Sequence, residues 1–522
     1  MSSLRLTQPG PRGTVYQFSL GVTLAGMTAS VIERERKYEI GPGTVVPRLA
    51  GVAGVETQEA PQERMLDATY FDTSGFRLAR AGITLRRRTG GTDAGWHVKL
   101  PVSADTRQEI QLPLGDSPKV PGRLRKLMRA YTLGEDLVPI ARLRTDRFEH
   151  RLTDAEGRTL ATLTDDHVTG EAGGEAALLD QWRELELELA PDVPSNLLDE
   201  FDRALISSGA FTSPWSSKLR RLIGDRVPEP RRQPRKPTAG DIVLTYLAAQ
   251  VDQLRRADVG VRLDVEDSVH QLRVATRKLR SALRTFESIV DDTGSTVAEL
   301  KWLAGRLAPA RDAEVTEQRL ATRLDELPGE LVLGPLRQYL TRHFAQEGRA
   351  RAMDALGGKR YLAVLRSLDT LLEDPPLTKA ARKPAKPGLR ASVRKSARKL
   401  RRAEAATHGL SGAELETALH DVRKKAKRAR YAADAVLPVY GKKLRKWRKN
   451  VKAVQSVLGD HQDAVVGRAA LRQLAITGHS DGQNVFTFGL LYARDAAEAD
   501  SLRRVFGKRW GKLRKGMRPI WL

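Results

Sequence analysis

The sequence predicts a multidomain α+β chain: a β-rich N-terminal domain with helical patches, a linker, and an all-helical domain built from two similar halves. Three observations predict it. Residues 28–223 alternate apolar and polar side chains in short runs separated by Gly, Pro and Asp, the two-residue period of strands. From Asp241 onward Leu, Ala and Val recur three and four residues apart with charges between them, the helical period. The second half also repeats itself: His270-Gln-Leu-Arg273-Val-Ala-Thr-Arg277-Lys278-Leu-Arg280 returns 150 residues later as His420-Asp-Val-Arg423-Lys424-Lys-Ala-Lys427-Arg428-Ala-Arg430. Such a duplication is the mark of two similar structural units.

Taken in order, residues 1–27 read as a leader, disordered or outside the native start, because Met27 stands just before the first strongly patterned strand. Strands follow to residue 223, with helical patches near Pro121–Leu133 and Ser195–Ser208. The segment 224–240, rich in Pro and Arg, is expected to be an extended linker. Helices fill 241–522, in halves of about 241–374 and 388–522 parted by the Pro-rich break Pro375–Pro387. In each half a turn-like segment follows the repeated helix: Ala310-Arg311-Asp312-Ala313 in the first, His461-Gln462-Asp463-Ala464 in the second.

Composition narrows the partners. The chain of 522 residues carries 89 Lys and Arg against 64 Asp and Glu, a formal charge of +25. That excess calls for a polyanion: nucleic acid, polyphosphate or an acidic membrane surface. With no cysteine, disulfides, thiolate metal sites and thiol nucleophiles are excluded, so any metal sits on oxygen or imidazole. No run of about 18 apolar residues spans a bilayer, and a cytoplasmic location is expected.

Strand parity gives the N-terminal chemistry, since every second side chain shares a face. Glu33, Glu35 and Lys37 share one face; so do Arg86 and Arg88, and Lys99 lies opposite Trp96, Val98 and Leu100. Arg142 and Arg144 alternate before Thr145, Asp166 follows Thr162 and Thr164, and Glu184, Glu186 and Glu188 alternate with leucines. With the apolar parity turned outward to helices, the charged parity faces a common interior. A lumen of both signs is costly unless it is wet and holds a charged ligand. Lys37, Arg86, Arg88, Lys99, Arg142, Arg144 and Lys218 are then candidates to clamp phosphate oxygens. Glu33, Glu35, Asp166, Glu184, Glu186 and Glu188 are candidates to bind Mg²⁺ or Mn²⁺, hard ions that prefer oxygen; whether Asp165 or Asp166 points inward rests on parity alone.

These motifs, with Tyr70-Phe71-Asp72-Thr73, Arg107-Gln-Glu109, Trp182–Leu189 and Ser217-Lys218, resemble the CYTH family of triphosphate tunnel metalloenzymes over residues 29–223. The resemblance implies an N-terminal antiparallel β-barrel with flanking helices, an eight-stranded tunnel that hydrolyses inorganic triphosphate or a related triphosphate with two metal ions. Glu33, Glu35 and Lys37 would be the catalytic residues; one ion would be held by Glu33, Glu35 and the Glu186 group, and a second would polarise the attacking water.

On a helix, His270, Arg273, Arg277 and Arg280 fall within about an 80° arc, with Leu272, Leu279, Leu283 and Phe286 opposite. His420, Arg423, Lys427 and Arg430 trace the same arc in the second copy, with Lys424 beside it. Basic residues at this density repel one another unless a polyanion neutralises them. The two copies and the segments after them resemble the CHAD domain over residues 238–520, which implies an all-α domain of two pseudo-symmetric helical bundles facing a basic groove that binds inorganic polyphosphate through these residues with Lys278, Arg311 and Arg428. Nucleic acid fits less well. Single-strand binders interleave aromatics with basic residues, whereas Phe, Trp and Tyr make up 5% of this chain, leaving non-specific backbone binding at low salt. The expected function is triphosphate hydrolysis in the tunnel joined to polyphosphate binding, with the protein at polyphosphate granules. The alternatives are a catalytically silent polyphosphate-binding scaffold, an adenylate cyclase and a general nucleic-acid binder.

Overall fold

The computed structural model describes residues 29–173, 177–229, 234–344 and 347–517, without the side chains of 309–316 and 341–349. The expected leader therefore lies outside the described residues. The chain divides into two compact units, Met1–Arg231 and Arg232–Leu522.

The first unit carries ten strands: β1 (Ala29–Glu39), β2 (Thr57–Gln58), β3 (Gln62–Asp72), β4 (Thr84–Thr89), β5 (Gly95–Pro101), β6 (Thr106–Leu112), β7 (Val138–Thr153), β8 (Thr159–Ala172), β9 (Leu178–Leu189) and β10 (Phe211–Thr212). Residues Ala29–Arg34 of β1 pair with β6, while Glu35–Glu39 pair with β9. That split closes an eight-stranded antiparallel barrel in the order β1-β6-β5-β4-β3-β7-β8-β9, and β2 and β10 extend β7 and β1. Closure leaves no free sheet edge.

Side-chain period then sorts the two faces. Tyr38, Leu163, Leu185 and Leu187 point outward and bury against Phe201 and Leu205 of the helix Leu197–Ser207. A slip of one residue would turn this apolar set into the lumen, so the register is firmly specified. A short helix, Lys218–Ile223, starts at Ser217, whose hydroxyl accepts from the Arg220 amide. Its Leu219, Leu222 and Ile223 pack on Ala68, Ala141, Leu143 and Val168. Val227 joins the same cluster, so folded structure continues past Gly224, where the sequence suggested the linker begins.

The second unit opens with the helix Ala239–Arg262, two residues ahead of the expected boundary. The reason is a capping box: Thr238 Oγ1 accepts from the Asp241 amide, and Asp241 accepts from the Thr238 amide at 2.9 Å. Replacing Thr238 by Ala is expected to cost about 1 kcal/mol, read as a lower melting temperature of this unit by calorimetry.

The first repeat forms the helix Ser268–Thr285, with Leu272 and Leu279 fully buried. The second opens the long helix Gly412–Ser480, broken at Gly441 (φ 63°, ψ −142°) into 412–440 and 442–480. Val422, Ala426 and Ala429 are its buried face. The two segments expected as turns are helical instead. The helix Ala308–Asp325 takes Pro309 in its first turn, where no amide donor is needed. Gly459 lies inside 442–480, beside the Arg423 guanidinium. Within the Pro-rich break, the helix Ala385–Ala405 has already begun and carries Pro387 in its first turn.

Candidate functional site

The barrel lumen is lined from β1 by Glu33, Glu35 and Lys37, from β4 by Arg86 and Arg88, from β5 by Lys99, from β6 by Arg107 and Glu109, and from β9 by Glu186 and Glu188, with Arg147 on β7 and Lys218 across them. Cations and carboxylates alternate around it. Lys99 Nζ lies 2.7 Å from Glu33 and 3.9 Å from Glu109. Lys37 pairs with Glu186 and stands 3.2 Å from Glu35. Lys218 sits 2.8 Å from Asp166, 2.8 Å from Glu184 and 2.7 Å from Glu186. Three carboxylates on one ammonium hold the Lys218 pKa well above its usual value even though burial opposes it.

Charge balance differs along the lumen. Around Lys218 each carboxylate has a cation, and Lys218, Lys37 and Arg147 hold Glu186 well below the usual carboxylate range against its burial. Around Glu33 acid is in surplus. Burial, with Glu109, Glu188 and Glu35 adding repulsion, outweighs Lys99 and pushes the Glu33 carboxyl up to about 8. Glu188, though more exposed, is raised by desolvation and by Glu35, Glu186 and Glu109. Oxygen donors that repel one another suit a hard divalent cation, so buried Glu33 and Glu35 together with the more exposed Glu188 fit one. Among the described residues no three acidic or histidine side chains are already gathered into a metal cage; Glu35 is paired with Lys37 and Glu33 with Lys99.

The structure departs from the sequence reading at four positions. Arg142 and Arg144 lie on the outside of β7, with side chains 44% and 63% exposed and Asp67 as their partner. Leu143, Thr145 and Arg147 face the lumen in their place. The reason is the helix Lys218–Ile223, which fills that end of the barrel, so inward residues there are apolar. Asp166 and Glu184 do point inward, but they are buried beneath Lys218 rather than at the cavity wall. Asp165 turns outward to Arg183, which settles the parity in favour of Asp166. Arg107, Glu109 and Arg147 are among the lumen residues to which sequence reasoning gave no site role. Arg147 donates to Asp166 at 2.6 Å and to Glu186 at 3.0 Å, and its parity with Thr145 was the available signal.

In the helical unit the two basic arcs meet. Arg277 and Arg423 each depress the Lys427 ammonium, Arg428 acts on Arg280, and Arg430 acts on Lys278. Burial first, then Arg423 and Arg277, brings Lys427 down to about 7. Arg273 is buried and reaches the Ala308 carbonyl at 3.3 Å. Arg423 faces Asp463 at 3.7 Å, and His420 Nδ1 meets Gln462 Oε1 at 2.6 Å. The repeated helices therefore touch equivalent later segments in both halves. Lys424 is exposed, and His270 is half-buried. The side chain of Arg311 lies outside the described residues.

The CYTH domain model matches residues 31–222 and the CHAD domain model residues 245–472. The uncharacterized protein MT2285 of Mycobacterium tuberculosis is 37% identical over 505 residues, 93% of this chain and 97% of that protein. Among solved structures, PptA from Streptomyces chartreusis is 26% identical with a TM-score of 0.45, over 52% of this chain and 99% of its own. The CHAD domain from the plant Ricinus communis is 26% identical with a TM-score of 0.43, over 52% and 92%. No helix among the described residues is long and apolar enough to cross a membrane. A barrel bearing a charged lumen, a basic helical unit and a relative matched nearly end to end place this chain in the family that joins a CYTH domain to a CHAD domain.

Proposed function

We propose that the tunnel hydrolyses inorganic triphosphate or a related triphosphate with Mg²⁺ or Mn²⁺, and that the helical unit binds inorganic polyphosphate along the seam between its two basic helices. The observation that carries the first part is the alternation of Lys37, Lys99, Arg86 and Arg88 with the surplus carboxylates Glu33, Glu35 and Glu188 inside a closed barrel. The cations suit phosphate oxygens, and the carboxylates suit the ions that accompany them. CYTH tunnel enzymes generally use divalent metals, and two ions per tunnel give the reaction both charge neutralisation and an activated water. Lys37 and Lys99, released from their carboxylates by an incoming cation, are free to turn to phosphate.

The second part rests on the half-buried seam, where cations from the two repeats crowd with few acids between them. The test is phosphate release from triphosphate, ATP and long polyphosphate with each metal. Release from triphosphate supports the reading; cyclic AMP from ATP would replace it with a cyclase, and no turnover would leave a silent binding scaffold.

A pH dependence follows at Lys427, whose ammonium is half lost near pH 7 in the free protein. A bound polyanion favours the charged form, so binding takes up a proton. Polyphosphate affinity is then expected to fall as pH rises through about 7 and to lose this slope in Lys427→Gln, measured by titration calorimetry in buffers of different ionisation heat.

A further inference from the structure

The turn between β4 and β5, residues 90–94, reaches into the tunnel. Gly90 has φ +80°, and a side chain there would meet the Met65 carbonyl at 2.1 Å. Gly91, at φ +72°, continues the tight bend, and Gly91, Thr92 and Asp93 form part of the tunnel wall. Two contacts hold the turn inward. The Asp93 carbonyl lies 2.9 Å from Nε2 of buried His97, whose Nδ1 lies 3.0 Å from Glu109. The Asp93 carboxylate forms an ion pair with the Arg88 guanidinium.

The two partners of that ion pair are unlike. Arg88 is 6% exposed and fixed in the lumen, whereas the Asp93 side chain is 41% exposed on a glycine-hinged turn. Arg88 also keeps a buried Nε without a hydrogen-bond partner. Arg86 and Arg147 are close enough, after burial, to push Arg88 down to about 9. Burial and its cationic neighbours thus leave Arg88 dependent on an anion, and Asp93 is the one paired with it.

We propose that Asp93 is a built-in anion that occupies Arg88 until substrate arrives, so that triphosphate binds by displacing the Asp93 carboxylate and freeing the turn. This rests on the tunnel being a triphosphate site. The exchange is like for like, because carboxylate and phosphate both take the guanidinium fork in bidentate fashion. A doubly charged terminal phosphate wins it, and a singly charged small anion does not. Asp93 therefore lowers the measured affinity by the fraction of protein whose Arg88 is occupied, and it selects against weak anions.

The experiment is titration of the full chain with tripolyphosphate, with and without Mg²⁺. Asp93→Asn is expected to tighten binding about tenfold, and Asp93→Glu to stay near the unaltered protein. The anchoring carbonyl of Asp93 is backbone and survives both changes, which unchanged melting temperatures would verify. In an Arg88→Gln background, Asp93→Asn should give no tightening. Unchanged or weaker binding by Asp93→Asn overturns the proposal, as does equal tightening in the Arg88→Gln background, which would mean simple removal of a nearby charge. Failure of the unaltered protein to bind tripolyphosphate would overturn the tunnel reading and this inference with it.

Discussion

Replacing Glu33 and Glu35 together by Gln is expected to cut triphosphate hydrolysis on the order of 10³-fold while polyphosphate binding stays unchanged. Both side chains are buried on the lumen face of β1, 6% and 8% exposed, within a group of carboxylates that includes Glu188 and Glu109. Their proposed task is to hold the cation that neutralises charge on the transferring phosphoryl group, an effect worth several kcal/mol in a site shielded from water. Gln keeps the volume and the oxygen but loses the charge, so a loss of rate reports electrostatics rather than collapse. At Glu33 the fold should tolerate the change well, whereas at Glu35, held below the usual carboxylate range by Lys37 and Lys99 against its burial, it is expected to cost some stability, which the melting temperature of each single variant checks. Glu33 is the acid pushed up to about 8 by burial and by its acidic neighbours, so its charge is a burden to the metal-free protein. Phosphate release with Mn²⁺ or Mg²⁺ checks the rate, and retention on immobilised polyphosphate checks the other half. Equal turnover by the double variant would remove Glu33 and Glu35 from the chemistry.

Much of the barrel was legible because its signal is local. Glu33, Glu35 and Lys37 alternate with Arg34, Arg36 and Tyr38, and Glu186 and Glu188 alternate with Leu185, Leu187 and Leu189, so one parity had to face inward. β7 broke the rule for a reason that no strand pattern carries. Its inward residues Ala141 and Leu143 meet the helix Lys218–Ile223, an element more than 70 residues later, and polar Arg142 and Arg144 were left to solvent. The same helix brings Lys218 onto Asp166 and Glu184 and takes those acids away from the cavity wall. Tertiary neighbours decided both cases. In the helical unit the repeat was plain from its own spacing. The segments around Ala308 and His461 looked turn-like because Pro309 and Gly459 usually interrupt helices, yet one sits in a first turn and the other lies within a continuous helical run beside Arg423.

Changing Arg277, Arg280, Lys427 and Arg428 together to Gln should weaken polyphosphate binding by about 10²- to 10³-fold and lower the salt dependence of binding by about 3 in log–log slope. The second figure follows from counterion release, in which each cation that neutralises a backbone phosphate contributes about 0.7 to 0.9. These four residues come from both repeats: Arg277 acts on Lys427 and Arg428 on Arg280 across the seam, and Arg277 acts on Arg280 within the first helix. Burial first, then cationic neighbours, depresses all three titrating groups: Arg423 and Arg277 act on Lys427, Arg284, Arg277 and Arg428 on Arg280, and Arg284 on Arg428. A protein that keeps like charges half-buried together gives up stability for them. The variant is therefore expected to melt at a higher temperature than the parent, by about 2–4 °C for each kcal/mol of repulsion relieved, even as its ligand is lost. That opposition of stability and binding separates a ligand groove from a structural cluster, whose removal would lower the melting temperature. Triphosphate turnover in the same variant should be unaltered, since none of the four residues belongs to the barrel. A variant that melts lower and still holds polyphosphate at moderate salt would show the seam to be architecture.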